Sequence, residues 1–209
     1  MTMSASRRIL AIAVAMILGL SMAASAETAM QLLNRASQKI AKAGSVSASF
    51  VFSGGGTSGS GTLKISGKRF SVQAPGSASW YNGKYLWTYS AASRETTLVV
   101  PTASELAETN PLTCLAGGVS GYNCAYGKGS TATKKIIVLT PKSRKQGIRN
   151  ATVEINASTL VPAKISVKAS DGSVTAVSIT KFSYGKSLPA SDFEYPKNKY
   201  PKIKIIDLR

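Results

Sequence analysis

Histidine is absent from this chain, and acidic residues are scarce, with only nine Asp and Glu among 209 residues. Without histidine, Ser-His-Asp and Cys-His catalytic arrangements are excluded, together with most zinc sites. The few carboxylates do not cluster at metal-ligand spacing, and nothing indicates a carboxylate pair suited to glycoside hydrolysis. We therefore expect a protein that is not an enzyme and that needs no metal or cofactor.

Long apolar runs are also absent, with one exception at the N-terminus. Arg7 and Arg8 precede an apolar stretch over residues 9–22, and Ala-Ser-Ala at 24–26 forms a cleavage pattern before Glu27. This arrangement is typical of a secretory signal peptide, and the alternative is an uncleaved membrane anchor. No cysteine lies near the cleavage pattern, so a lipobox is missing. We predict a signal peptide over 1–26 and one soluble domain over 27–209, secreted across the inner membrane into the periplasm.

The balance of charge is strongly basic. The formal net charge is +17, and removal of Arg7 and Arg8 would lower it to +15. Such a charge favours anionic partners, and an exported protein is more apt to meet an anionic membrane surface than nucleic acid. Because the basic residues are scattered, a dispersed solubilising surface is the alternative interpretation.

Cysteine is nearly absent too, with Cys114 and Cys124 as the complete set. In an oxidising periplasm we expect these two residues to form one disulfide. A reactive thiol pair is the alternative, although the spacing differs from C-x-x-C.

Hydrophobic periodicity predicts a mainly β (α+β) protein. The spacing of Met30, Leu33, Ala36 and Ile40 indicates an N-terminal helix that begins with a capping box at Thr28 and ends at Gly44. Alternation with a period of two then predicts strands. Their ranges are 46–52, 63–65, 70–74, 77–81, 85–89, 95–100, 135–140, 148–155, 163–168, 174–182 and 203–206.

Two turns and one insertion interrupt the alternation that predicts the strands. Asn82-Gly83 and Asp171-Gly172 predict two-residue hairpin turns in which both positions have positive φ. Residues 101–118 break the alternation, and a second capping box at Thr102–Glu105 predicts a short apolar helical insertion. Trp87 and Tyr89 fall on the strand face opposite Leu86, and we expect them to pack under the N-terminal helix.

Two motif matches fail in context. Gly54, Gly56 and Gly59 form G-x-G-x-x-G, but the motif joins two strands and opens no helix, which argues against a dinucleotide site. Aromatic and basic residues alternate from Trp80 to Trp87 as in single-strand nucleic-acid binders, yet β propensity alone explains them. We expect no nucleic-acid partner.

Four segments together resemble the LolA family of lipoprotein carriers. They are Gly-Ser-Val-Ser-Ala-Ser-Phe at 44–50, Gly-Ser-Gly-Thr-Leu at 59–63, the hairpin Trp-Tyr-Asn-Gly-Lys-Tyr-Leu-Trp-Thr-Tyr at 80–89 and Leu-Thr-Pro-Lys at 139–142. The resemblance implies an open antiparallel half-barrel with an N-terminal helix and a helical lid insertion. It also implies a periplasmic chaperone that holds lipoprotein acyl chains in a hydrophobic cavity and carries them from the inner to the outer membrane.

The resemblance further implies site residues and partners. For lipid binding we expect strand residues Phe50, Phe52, Leu63, Ile65, Phe70, Trp80 and Leu98, and lid residues Leu106, Leu112 and Leu115. Arg69 is the candidate for the family's lid latch, although the usual Arg-Pro is here Arg-Phe. The implied partners are acylated lipoproteins, an inner-membrane lipoprotein-releasing transporter and an outer-membrane acceptor, and the carrier is expected to be a monomer.

Other functions of the same architecture stay open. A periplasmic half-barrel of this kind could bind another lipid or glycolipid, or act as a lipoprotein sensor. A structural envelope protein that binds anionic lipopolysaccharide through its charge is a further alternative.

Overall fold

The computed structural model describes residues 27–102, 105–106, 121–143 and 148–209. The predicted signal peptide therefore lies outside the described residues. In the described part, no helix has both the length and the apolar character needed to cross a membrane.

The N-terminal helix, α1, spans Ala29–Lys42 and forms for the reasons that the sequence predicts. The Thr28 side chain accepts a hydrogen bond from the Gln31 amide (3.2 Å), and the Gln31 side chain accepts one from the Thr28 amide (2.8 Å). This reciprocal capping box satisfies two amides that have no partner within the helix. Gly44, with φ of +73°, ends the helical segment where a residue with a side chain would be strained.

Twelve strands follow in the described residues and form one sheet. They are β1 (Ser45–Gly54), β2 (Thr57–Ser66), β3 (Arg69–Ala74), β4 (Ser77–Tyr81), β5 (Leu86–Ser90), β6 (Glu95–Val99), β7 (Tyr122–Tyr126), β8 (Lys134–Pro141), β9 (Ile148–Asn156), β10 (Pro162–Ala169), β11 (Val174–Tyr184) and β12 (Lys204–Asp207).

The sheet order is β12-β6-β5-β4-β3-β2-β1-β11-β10-β9-β8-β7. Neighbouring strands pair antiparallel except β12, which pairs parallel with β6. The N-terminal hairpins build one half of the sheet and the C-terminal hairpins the other, and the halves join where β1 pairs with β11. This is the open, mainly antiparallel half-barrel that the sequence predicts.

One face of the sheet, which we call the inner face, packs against α1. Helix residues Leu32, Leu33 and Ile40 join one core with side chains from both halves of the sheet, including Val46, Leu63, Ile137, Val153, Ile155 and Ile165. Strand pairing places these strand residues on the same face, since directly opposed residues share a face. The main hydrophobic core is therefore the inner face with α1 resting on it.

The opposite, outer face carries a second, smaller core. The C-terminal segment, residues 186–203, contains two 3₁₀ helices at Ala190–Phe193 and Lys197–Lys199. Its Tyr195 and Tyr200 pack with Ala78, Trp80, Trp87 and Tyr89. The prediction that Trp87 and Tyr89 pack under the N-terminal helix is thus wrong, because their strand face turns away from α1.

The turns at Asn82 and Asp171 also differ from prediction. Each connects its strands through four residues, and only the glycines, Gly83 (φ +100°) and Gly172 (φ +90°), have positive φ. The Asn82 side-chain oxygen accepts hydrogen bonds from the amides of Lys84 and Tyr85. These Asx-type bonds stabilise a longer turn and remove the need for positive φ at Asn82.

Candidate functional site

Two phenylalanines of β1 form the centre of the inner face. Phe50 and Phe52 lie 6.5 Å apart between ring centres. They are opposed on β2 by Gly61 and Gly59, so the rings lie over strand positions that have no side chain. A methyl group on Gly61 would overlap the Phe50 ring and lie 2.5 Å from the carbonyl oxygen of Gln73. The glycines of β2 therefore make room for an aromatic surface on this face.

The apolar face continues from β2 into β3 and β4. Leu63 is buried and Ile65 half-buried, and they oppose Val72 and Phe70 across the strand pair. Phe70 in turn opposes Tyr81, with a ring separation of 5.5 Å. Five of the predicted strand residues, Phe50, Phe52, Leu63, Ile65 and Phe70, are thus brought together on the inner face.

Sequence reasoning missed the contribution of β11. Val177, Ile179, Phe182 and Tyr184 are half-buried and pack against the same core. Their alternation changes from odd to even positions because a bulge shifts the register beside Thr180. That change of parity in the sequence is the signal that could have shown all four residues on one face.

Tyr184 places a polar group in this apolar surface. Among the described residues its buried hydroxyl has no hydrogen-bond partner, and burial raises its pKa. The Lys39 ammonium lies 5.3 Å from the centre of its ring. Buried hydroxyls are usually paired, so an unpaired one is unusual in an apolar core.

Trp80 and Leu98 do not join the other predicted lining residues. Trp80 opposes Ser71 and Trp87, and Trp87 opposes Leu98, which places both predicted residues on the outer face. The Trp80 ring contacts Tyr195 edge-on at 5.5 Å. The strand alternation predicted burial of both residues, but the face was decided by register within the whole sheet.

Arg69 also lies on the outer face. Its guanidinium stacks over the Phe193 ring at 4.9 Å and donates a hydrogen bond to the Ser66 hydroxyl. These contacts join β3 to the C-terminal segment. Most of the expected lid lies outside the described residues, so the latch role stays a prediction.

The expected lid lies in the connection between β6 and β7. β7 is one edge strand of the sheet, and β6 is the second strand from the other edge, next to β12. The predicted second capping box forms: the Thr102 hydroxyl accepts from the Glu105 amide, and Glu105 accepts from the Thr102 amide at 2.7 Å. Leu106, which is half-buried, donates its amide to the Thr102 carbonyl. Leu112, Leu115 and Cys114 lie outside the described residues, and the helical lid is not shown.

Cys124 lies on β7 with its side chain toward the inner face. Its sulfur is 4.0 Å from the sulfur of Met30 on α1. Burial raises the pKa of this thiol, with a smaller opposing effect from Lys142. The pairing with Cys114 stays a prediction.

The described residues contain no group of three or more potential metal ligands. The inner face therefore presents an extended apolar and aromatic surface, which includes the buried Tyr184 hydroxyl.

Comparison with solved structures relates this fold to others at low sequence identity. An uncharacterised conserved protein from Thermus thermophilus superposes with a TM-score of 0.58 at 12% identity, over 86% of this chain and 98% of that one. At that identity the likeness concerns the fold alone. A LolA superfamily protein from Nitrosomonas europaea gives a TM-score of 0.42 at 12% identity, over 80% and 98% of the two chains. The MucA/MucB complex of Pseudomonas aeruginosa gives 0.40 at 12% identity, over 78% of this chain and 60% of that one.

Sequence comparison identifies the family. No curated protein sequence matches the chain significantly. A family profile described as outer membrane lipoprotein carrier protein LolA, however, matches residues 20–172, which is most of the chain. The chain therefore belongs to the LolA family.

Proposed function

We propose that this protein is a soluble periplasmic carrier that binds the acyl chains of lipoproteins on its inner face. It would receive them from an inner-membrane transporter and pass them to an outer-membrane acceptor. The observation that carries the proposal is the continuous apolar inner face, which runs across both halves of the sheet. Membership of the LolA family supports it.

Energetics favour acyl chains as the ligand of such a surface. Each methylene removed from water contributes about 0.8 kcal/mol, so a lipoprotein with several acyl chains would bind very tightly to an apolar face of this kind. Release then requires that the apolar lining be satisfied when the carrier is empty. A segment that covers the inner face in the free state and moves aside for the ligand would lower the net affinity.

The β6–β7 connection is the segment placed to do this. β7 is an edge strand and β6 lies next to the opposite edge strand, β12, so the connection runs between the two end regions of the sheet. It contains Leu106, Leu112 and Leu115, which we propose as its lipid-facing residues. The strand lining would be Phe50, Phe52, Leu63, Ile65 and Phe70, without Trp80 and Leu98.

The test compares two neighbouring positions of β1 that point to opposite faces. Phe52 is half-buried on the inner face, whereas Val51 is 44% exposed on the outer face. The protein over 27–209 is incubated with inner-membrane vesicles loaded with a triacylated lipoprotein, and soluble complexes are measured by native mass spectrometry. We expect a one-to-one complex with the wild type and with Val51→Glu, and at least tenfold less with Phe52→Glu, because a charge would be buried against acyl chains.

A second comparison does not depend on any variant. The same lipoprotein without its acyl chains should give no complex, and far-UV circular dichroism should show that both glutamate variants are folded. Binding of the non-acylated form, or equal binding by the two variants, would contradict the proposal. Capture of free phospholipid or glycolipid alone would favour a different lipid-binding role for the same face.

A further inference from the structure

The outer face carries a second concave site, which the carrier function does not use. It is a groove of about 700 Å³ lined by residues of β1 to β5 and by Tyr200 of the C-terminal segment. We call it the outer groove. The residues on which the argument depends are Ser49, Ser60, Thr62, Gln73, Tyr89 and Tyr200.

The floor of the outer groove is a row of polar side chains set across the strands. Ser49 on β1 opposes Thr62 on β2, and Thr62 opposes Gln73 on β3. Neighbouring strands are about 4.8 Å apart, so hydroxyl, hydroxyl and amide groups follow one another at that spacing. Within the described chain these three side chains make no hydrogen bond, so their donors and acceptors are free for a ligand.

The same row continues into an aromatic wall. Gln73 opposes Ala78, and Ala78 opposes Tyr89. The Tyr89 and Tyr200 rings are 4.7 Å apart. Tyr200 is further supported by Tyr195, stacked at 5.6 Å, and by the buried Trp80 ring at 5.8 Å. Tyr89 and Tyr200 both line the outer groove, and the small Ala78 lies between Tyr89 and the polar row.

The charge of the outer groove limits the class of ligand that it can bind. The chain contains 26 Lys and Arg residues, yet none of the described residues that line this groove is charged. Phosphate, nucleic acid and acidic polymers would be recognised by cationic side chains, so the lining does not suit them. An acyl chain would leave the row of hydroxyl and amide groups without partners.

Neutral hydroxyl and amide groups beside tyrosine rings suit a polyhydroxylated ligand. Sugar hydroxyls both donate and accept hydrogen bonds, as Ser, Thr and Gln side chains do, while the apolar C–H faces of sugar rings pack on aromatic rings. We propose that the outer groove binds a neutral oligosaccharide, with Ser49, Thr62 and Gln73 bonding its hydroxyls and Tyr89 with Tyr200 packing on a ring face.

The test uses matched tryptophan substitutions on β2. Thr62 lies in the outer groove, whereas Ser58 is exposed on the same strand and the same face but outside the lining. Binding of chitotetraose, cellotetraose and maltotetraose, with polygalacturonate as an anionic control, is measured by titration with 15N-HSQC spectra of the protein over 27–209. We expect saturable binding of at least one neutral sugar, weakened at least tenfold by Thr62→Trp and by Gln73→Ala, and unchanged by Ser58→Trp.

Two further measurements distinguish a free oligosaccharide from a glycolipid, and the outer groove from the inner face. Free oligosaccharide should bind equally to wild type and Phe52→Glu, whereas a neutral glycolipid held through its acyl chains should lose binding in Phe52→Glu. The proposal is overturned if no neutral sugar saturates, if Thr62→Trp leaves binding unchanged while its spectrum shows a folded protein, or if only polygalacturonate binds. The carrier proposal is tested by lipoprotein binding to the inner-face variants, so a failure of sugar binding would leave that proposal unaffected.

Discussion

Single glycines on β2 decide how the aromatic inner face is built. Gly59 and Gly61 stand opposite Phe52 and Phe50, and each ring occupies the space above its glycine. Glycine within a strand costs backbone entropy, and an aromatic ring covering it is a known compensation. In the sequence these glycines belong to a glycine-serine stretch over 53–61 that predicts a turn, whereas the structure places both of them in β2.

Replacement of Gly61 by alanine should therefore destabilise the protein. The added methyl group would meet both the Phe50 ring and the Gln73 backbone, and relief would require a backbone shift. We expect a loss of about 1–3 kcal/mol in the free energy of unfolding, measured by urea denaturation. Ser58→Ala on the same strand is the control and should change the free energy by less than about 0.5 kcal/mol. Equal stabilities for the two variants would show that the face does not depend on this glycine.

Among the elements, the C-terminal segment departs furthest from what the sequence indicates. Its prolines suggest an irregular tail with a last strand at 203–206. In the structure this segment instead contains two 3₁₀ helices and covers part of the outer face. We call it the C-terminal strap, and it leads into β12, which pairs parallel with β6. Phe193 is fully buried, and Lys64 forms a 2.7 Å ion pair with Asp192. The strap therefore converts one half of the outer face into a second core.

Truncation of Phe193 should loosen this strap. Phe193→Ala removes a fully buried ring and the stacking partner of Arg69, at a cost of about 3–5 kcal/mol. Limited proteolysis should then cut within 186–209 much faster than in the wild type, and the melting temperature should fall. Lys197→Ala, an exposed position in the same strap, is the matched control. Unchanged cleavage in Phe193→Ala would mean that other contacts hold the strap.

On the scale of the whole molecule, the order of strands matters more than any single contact. The sheet is continuous, but the consecutive strands β6 and β7 are far apart in it: β7 is one edge strand, and β6 is the second strand from the other edge. Their connection therefore links the two end regions of the sheet. The proposed lid function follows from this topology together with the apolar residues of the connection.

Hydrogen–deuterium exchange with and without bound lipoprotein tests that function. We expect amides in residues 100–121 to exchange at different rates in the two states, while those of β9 and β10 stay equally protected. The reason is that lid contacts with the lining should be replaced by acyl chains, whereas the central strands keep their backbone hydrogen bonds. Identical exchange over 100–121 in both states would contradict a moving lid.

Much of the local structure was determined by the sequence itself. The capping boxes at Thr28 and Thr102 and the stop at Gly44 all form as the residues predict, because they depend on contacts within one helical turn. Most strands also follow from alternation. β7 was missed because it is a short edge strand whose residues are all exposed or half-buried. The two hairpin turns were predicted too short, since side-chain hydrogen bonds can replace positive φ.

The tertiary structure alone decided which face each strand residue occupies. Alternation shows that Phe52 and Trp80 lie on the apolar sides of their strands, but it does not relate the sides of distant strands. That relation depends on register carried through successive strand pairs, and on the bulge in β11 that reverses the parity. Phe52 therefore lies on the inner face, and Trp80 lies in the core under the C-terminal strap. The reason is that the direction of a side chain in a sheet depends on the register of the whole hydrogen-bonded ladder.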